Sequence, residues 1–205
     1  MPGYRDRSHA GRVLGGLLEH LAGLEPLVLG IPRGGVVVAA EIAAALSGGL
    51  GVLTAVKVRA PHNPELAVGA VTPDGVARLD LALLDALGVD AGARHRIVAE
   101  AIAEVHRRQE VFGPVPEMQG RVVVVTDDGV ATGATLGAAL DHVARAGPAR
   151  LVCALPVGPP ETVATLAASV DEMVCPLQPR WFGAVGEFYE DFAQVSDAAV
   201  LGLLA

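Results

Sequence analysis

Two acids, Asp127 and Asp128, stand side by side behind the apolar run Val122-Val123-Val124-Val125. Adjacent carboxylates repel, and burial at a strand end makes the repulsion worse. Such a pair needs a partner, either the hydroxyls of a sugar diol or a divalent cation such as Mg2+. The next residues are Gly129-Val130-Ala131-Thr132-Gly133-Ala134-Thr135, which lead into a helical pattern. Small side chains let backbone N–H groups close on an anion. Thr132 and Thr135 add hydroxyl donors, and a helix N-terminus favours negative charge by about 0.3–1 kcal/mol. Carboxylates for hydroxyls and a turn for phosphate suit a sugar phosphate carrying both groups a few ångströms apart. A plain strand-to-helix turn would account for one capping Asp or Thr, not for the whole string.

Three further groups could support such a ligand. Arg33-Gly34-Gly35 follows the short apolar run Leu27–Ile31 and opens a helical pattern. Glycine amides beside a guanidinium make a pyrophosphate grip, or else a tight turn with a solvated Arg. Lys57 is the single lysine against fourteen arginines. It shares one face of its predicted strand with Arg59, since alternate residues point the same way. The two could offset a leaving anion or be a cationic strand end in water. His62 and Glu65, in a proline-flanked segment, are candidate acid–base groups.

The surrounding elements read as an alternation. Apolar spacing predicts a helix over 8–22, a strand at 27–31, a helix over 36–46 and a strand over 50–58. Pro61 and Pro64 predict an irregular segment at 59–66. Runs at 67–72 and 76–79 flank Pro73-Asp74-Gly75, a hairpin signal. A long helix is expected over 91–111 and a strand buried on both faces over 121–126. Then follow a helix over 133–146, a strand at 151–155, a helix at 161–168 and a strand at 170–175. This order predicts an α/β fold, a doubly wound and mostly parallel sheet with helices on both faces. Residues 1–178 form the expected core, and 179–205 a small tail or hood packed on it. In such sheets ligands bind beyond the carboxyl ends of the strands. The loops after Ile31, Val58, Thr126 and Leu155 are therefore the relevant ones.

Composition narrows the function classes. Hydrophobic residues make up 52 % and aromatics only 3 %, so the core is expected to be aliphatic. The net charge of −8 and the lack of a basic cluster argue against a nucleic-acid partner. No run approaches the ~18 apolar residues of a membrane span. The first residues lack a signal-peptide core, so a cytoplasmic location is expected. Cys153 and Cys175 each end an apolar run and read as small buried hydrophobes. Trp181, Phe182, Phe188, Tyr189 and Phe192 gather in the tail of a chain otherwise poor in aromatics. They form either a stacking surface for a base or a satellite core holding the tail down.

The string Val122–Thr135 resembles the phosphoribosyl-pyrophosphate (PRPP) motif of type I phosphoribosyltransferases: a hydrophobic strand, two acids, three small or apolar residues, then Thr-Gly-x-Thr. It also resembles a loop of PRPP synthetases, which need two such domains and a longer chain. Ile31-Pro32-Arg33-Gly34-Gly35, Asn63-Pro64-Glu65-Leu66-Ala67-Val68-Gly69-Ala70 and Ala184-Val185-Gly186-Glu187-Phe188-Tyr189 extend the resemblance to stand-alone bacterial predicted phosphoribosyltransferases.

The resemblance implies roles. Asp127 and Asp128 would hold the ribose hydroxyls directly or through Mg2+, as metal ligands and catalytic residues. Residues Gly129, Val130, Ala131, Thr132, Gly133, Ala134 and Thr135 would hold the 5-phosphate. Arg33, Gly34 and Gly35, with Lys57 and Arg59, would take the pyrophosphate, and Phe182 the base. Residues 60–75 would be a mobile loop closing over the substrate. PRPP, a small-molecule acceptor and a homodimer are the implied partners. One departure limits the acceptor. Hypoxanthine-guanine enzymes carry an acid before the Thr-Gly pair, where this chain has Ala131. The alternative activity is none: a PRPP-binding regulator. A hydrolase reading lacks a Gly-x-Ser-x-Gly elbow.

Overall fold

The structure, a computed structural model, describes residues 3–205, with the backbone alone at Pro64 and Glu65. The acid–base role expected of the Glu65 side chain thus lies outside the described residues.

Five parallel strands form the main sheet: β1 (Leu27–Gly30), β2 (Gly49–Val52), β6 (Val122–Thr126), β7 (Arg150–Ala154) and β8 (Glu172–Val174), in the order β2-β1-β6-β7-β8. The central strand β6 explains its own sequence. Val123 and Val125 face one core layer, with Leu136 and Leu140 of helix α5 (Ala134–Arg145) and Val163 of helix α6 (Pro160–Ala167). Val124 faces the other, with Leu14 of helix α1 (Arg7–Leu17) and Ile42 and Leu46 of helix α2 (Gly34–Leu46). A strand covered on both faces cannot alternate polar and apolar residues, hence the valine run. Burying each valine contributes roughly 1.5–3 kcal/mol. The sheet is doubly wound and mostly parallel, and the core is aliphatic, as the sequence predicts.

Two expectations fail between residues 50 and 66. The apolar run 50–58 is not one strand. It leaves the main sheet after β2, crosses at Leu53-Thr54-Ala55, and enters a separate antiparallel sheet as β3 (Val56–Ala60). Leu53 and Ala55 pack in the main core, whereas Val56 and Val58 pack in a second one. The run is mostly apolar, broken by Thr54 and the exposed Lys57, because both cores draw on it, and no turn residue marks the change of sheet. The segment 59–66 is also more regular than its prolines suggest. Strand β3 continues to Ala60, and β4 (Asn63–Val71) begins two residues after Pro61. The ladder slips between Val58 and Arg59 and again before Ala60, and such bulges accommodate proline within an antiparallel pair.

Strand β5 (Ala77–Leu79) completes the small sheet through the predicted turn at Pro73-Asp74-Gly75. Residues 60–75 are therefore mostly hairpin strands. One side of this sheet is covered by α4 (Ala91–Phe112), one residue longer than predicted, and by a short helix, α3 (Leu81–Ala86), that the sequence reading missed. The hairpin tip is pinned to α5. Asp74 accepts from Arg145 at 2.7 Å and lies 3.2 Å from His142 Nδ1, while Arg78 donates to Asp141 at 2.9 Å.

At the chain's start, Asp6 caps α1 by accepting from the His9 N–H at 2.6 Å. The helix expected to reach residue 22 ends at Leu17 and tightens into a 3-10 turn over Glu19–Leu21, a common helix ending. The tail contains a 3-10 turn over Val185–Phe188 and helix α7 (Asp197–Leu204). It meets the N-terminal residues directly: Tyr4 bridges Tyr189, and the Tyr4 N–H donates to Phe188 O at 2.8 Å. Among the described residues, no helix is long and apolar enough to cross a membrane.

Candidate active site

Strands β1 and β6 lie side by side, with Gly30 level with Thr126. This register delivers Pro32-Arg33-Gly34-Gly35 and Asp127-Asp128 to the same carboxyl end of the sheet. Contact between the two loops is direct. A methyl group added at Gly35 would lie 2.8 Å from Asp127 Cα, and one at Gly34 would strike the Asp128 carboxylate. Only glycines allow this approach, which leaves the first amides of α2 beside the acids. The Pro32–Arg33 peptide is cis.

The two acids are half-buried and adjoin each other. Asp127 Oδ1 accepts from the Asp128 N–H at 2.8 Å. Burial, and then the neighbouring Asp128 charge, push the Asp127 carboxyl well above the usual carboxylate range, with Lys57 among the cations pulling it back. Burial also raises Asp128, against the opposing pull of Arg7.

Arg7 is a site residue the sequence reading missed. Its Nε donates to Asp128 Oδ2 at 2.7 Å, and its side chain is only 11 % exposed. The guanidinium sits 3.8 Å from the Phe192 ring centroid and donates from Nη1 to Ala193 O at 2.8 Å. The Asp128 backbone is held as well, by the Tyr189 hydroxyl. The sequence displays Arg7 behind a helix-capping Asp6. Nothing local points to a partner 121 residues away.

Beyond the acids, the loop runs to Gly133, whose φ of +76° suits glycine and turns the chain into α5. The first amides of an α-helix have no partner within the helix, and Gly133 is capped by no side chain. Thr135 Oγ1 is shut from solvent with no hydrogen-bond partner among the described residues, so a donor stands unused at the helix start. A cavity of about 750 Å3 adjoins the loop, lined by Lys57, Arg78, Thr132, Gly133, Glu161 and Thr162 among others. The acid pair does not line it. Lys57 links the two regions, because it borders the cavity and its charge reaches Asp127.

A family model of the phosphoribosyl transferase domain matches residues 7–193. The chain belongs to this family. The Mycobacterium tuberculosis protein Rv0571c, which carries a provisional phosphoribosyl transferase name, is 43 % identical over 206 residues. That match covers 98 % of this chain and 46 % of the relative, so the chain spans about half the length of its curated relatives. The crystal structure of TT1426 from Thermus thermophilus superposes with a TM-score of 0.81 at 44 % identity, covering 98 % of this chain and 97 % of that one. A purine phosphoribosyltransferase from Pyrococcus horikoshii shares the fold at 18 % identity, with a TM-score of 0.50 and coverage of 85 % and 84 %.

Within this phosphoribosyl transferase domain, the other predicted residues divide. The Arg33 side chain turns toward a smaller cavity of about 270 Å3, shared with Arg107, Arg108 and Asp197, and lies 3.6 Å from Asp197. Arg107 and Arg108, missed in the sequence, both bond Glu104. Lys57 and Arg59 do share the exposed face of β3, but Arg59 lines neither cavity. Phe182 stacks on Phe188, with centroids 5.3 Å apart, in a cluster with Tyr4, Val157 and Tyr189. Phe182, Phe188 and Tyr189 thus pack in a satellite core, while Trp181 stays 87 % exposed. His62 is exposed at the β3–β4 turn. Cys153 and Cys175 are buried free thiols, and burial raises the Cys175 thiol to about 11.

Proposed function

We propose that this domain transfers a phosphoribosyl group from PRPP to a nitrogen acceptor and releases pyrophosphate. The observation that carries the reading is the meeting of three candidate grips at the carboxyl end of the sheet: the Asp127-Asp128 pair, the glycine loop at Gly34-Gly35, and the loop entering α5. Carboxylates accept from the ribose diol. Amides of the turn before α5, with Thr132 and Thr135, hold the 5-phosphate. Amides at the start of α2 and the Lys57 charge face the pyrophosphate.

In the transfer, the bond from ribose C1 to the pyrophosphate oxygen breaks and a C1–N bond forms. The acceptor nitrogen gives up its proton to the departing pyrophosphate or to water. Positive charge develops on the ribose, so the chain contributes alignment and a preorganised negative field. Asp127 would hold Mg2+ together with oxygens of PRPP, since Mg2+ commonly binds through one or two carboxylates plus substrate phosphate. The ion would offset the charge of the departing pyrophosphate. A nucleobase is the acceptor class we favour. Ala131 leaves no acid at that loop position to take its proton, which argues against hypoxanthine and guanine.

The test is pyrophosphate release from PRPP and Mg2+ in the presence of a panel of nucleobases. Release that depends on one acceptor and disappears in Asp127→Asn is the expected result. PRPP binding without release for any acceptor would overturn the transferase reading and leave a PRPP-binding regulator.

A further inference from the structure

The acid pair is not a ready-made metal site. Among the described residues, no three of His, Cys, Asp or Glu converge to hold an ion. Asp128 also fits poorly as a metal ligand, because its Oδ2 already faces a cation. Arg7 Nε lies 2.7 Å away, within hydrogen-bond distance, with its side chain 11 % exposed. The arginine is fixed from three further directions. Its guanidinium lies against the Phe192 ring, its Nη1 reaches Ala193 O, and its Nε approaches Gly34 so closely that an added methyl there would sit 2.6 Å away. A surface ion pair has little such restraint, and its flexible partners lose entropy on pairing. Here the guanidinium is preorganised by packing and stacking.

We propose that Arg7 is the resident cation of the acid pair, taking at Asp128 the place a divalent metal would otherwise fill and leaving Asp127 to meet an incoming ion. The inference rests on the phosphoribosyl-transfer reading for the identity of the site, but its test does not. Arg7 acts through Asp128 and is a positioning residue. It links the N-terminal segment, the acid loop, the pyrophosphate loop and the tail at one charge. The two acids are then unequal. Asp128 is committed to the protein's own cation, and Asp127 is available to ligand.

A merely structural arginine and a resident cation predict opposite results for metal binding. Mn2+ is titrated into the PRPP-free protein, and free ion is followed by electron paramagnetic resonance. Removing a competing charge in a half-buried site should tighten Mn2+ binding in Arg7→Gln by about tenfold or more. Arg7→Lys should stay near the wild type, and Asp128→Asn added to Arg7→Gln should erase the gain. A folded Arg7→Gln protein with unchanged or weaker Mn2+ binding overturns the proposal. If Arg7→Gln does not fold, the charge-balanced double variant Arg7→Gln/Asp128→Asn decides. Unchanged Mn2+ affinity supports the proposal, and a clear loss overturns it. PRPP binding to the wild type, measured separately by calorimetry, reports on the transferase reading alone.

Discussion

The Tyr189 hydroxyl donates to the Asp128 backbone carbonyl at 2.5 Å, so a tail residue 61 positions away holds the second acid at its main chain. Burial, then the Asp128 charge, push this phenol far above its ordinary range, which keeps it protonated as a donor. Tyr189→Phe retains the ring contacts with Tyr4 and Phe192 but leaves the carbonyl unsatisfied. The expected cost is about 1–3 kcal/mol of stability. A denaturant melt should show it, with weaker PRPP binding by calorimetry as a companion effect.

The acid pair should trade stability for function. Both carboxyls are raised, chiefly by burial, so their folded-state pKa lies above the unfolded one. Whatever stability the protonated pair contributes is present below the ordinary carboxylate pKa and is lost as pH rises through the raised folded values. At pH 7 the pair therefore weakens the fold. Asp127→Asn is neutral and nearly isosteric. It should stabilise the protein at pH 7 by about 0.5–2 kcal/mol while lowering transfer by about a hundredfold or more. A thermal melt of this variant with no gain in Tm at pH 7 would contradict the account.

Gly35 should tolerate no side chain. In Gly35→Ala the new Cβ meets Asp127 backbone, which cannot rotate away. Forcing the loops apart should cost about 1–3 kcal/mol. PRPP affinity should fall, because the two loops no longer meet at the carboxyl end of the sheet. Gly75→Ala strains a turn with no neighbour within 4 Å, so it controls for general loss of glycine.

The hairpin tip makes an acid-sensitive clasp. Burial pushes the Asp74 carboxyl up, but hydrogen bonds from Thr72 and Arg145 and the contact with His142 outweigh it and hold it well below the usual range. A lowered folded pKa contributes stability above the unfolded value near 4 and loses it as pH falls toward the folded value. Asp74→Asn should cost about 1 kcal/mol at neutral pH, modest because the carboxylate is one-third exposed. The Tm gap to wild type should hold steady from about pH 5 to 8 and close below about pH 4.

The acid and glycine loop was legible because its chemistry is contiguous: the strand, the acids and the helix start follow one another from Val122 to Thr135. The main sheet was legible because strands and helices alternate with distinct periods. What escaped depends on distance or on a change of partner. Arg7 meets an acid 121 residues away in the chain, and local spacing carries no sign of that. Residues 50–58 stay mostly apolar while passing from one sheet to another, with no turn signal between, so a single pattern covers two strands. Arg33 follows the predicted strand and opens α2, yet its side chain faces the smaller cavity, a direction that spacing does not encode.

The crossing at Leu53-Thr54-Ala55 has a mechanical consequence. All three residues are buried, at 0 %, 1 % and 4 % exposure, and the Leu53 N–H extends the β1 pairing by donating to Gly30 O at 3.0 Å. A link anchored in this way is a poor pivot, since swinging it would expose apolar surface and unmake sheet hydrogen bonds. The small sheet is thus mounted as a fixed wall of the large cavity. Any opening of that cavity then falls to side-chain movements at its mouth, which are faster than the collective swing of a domain.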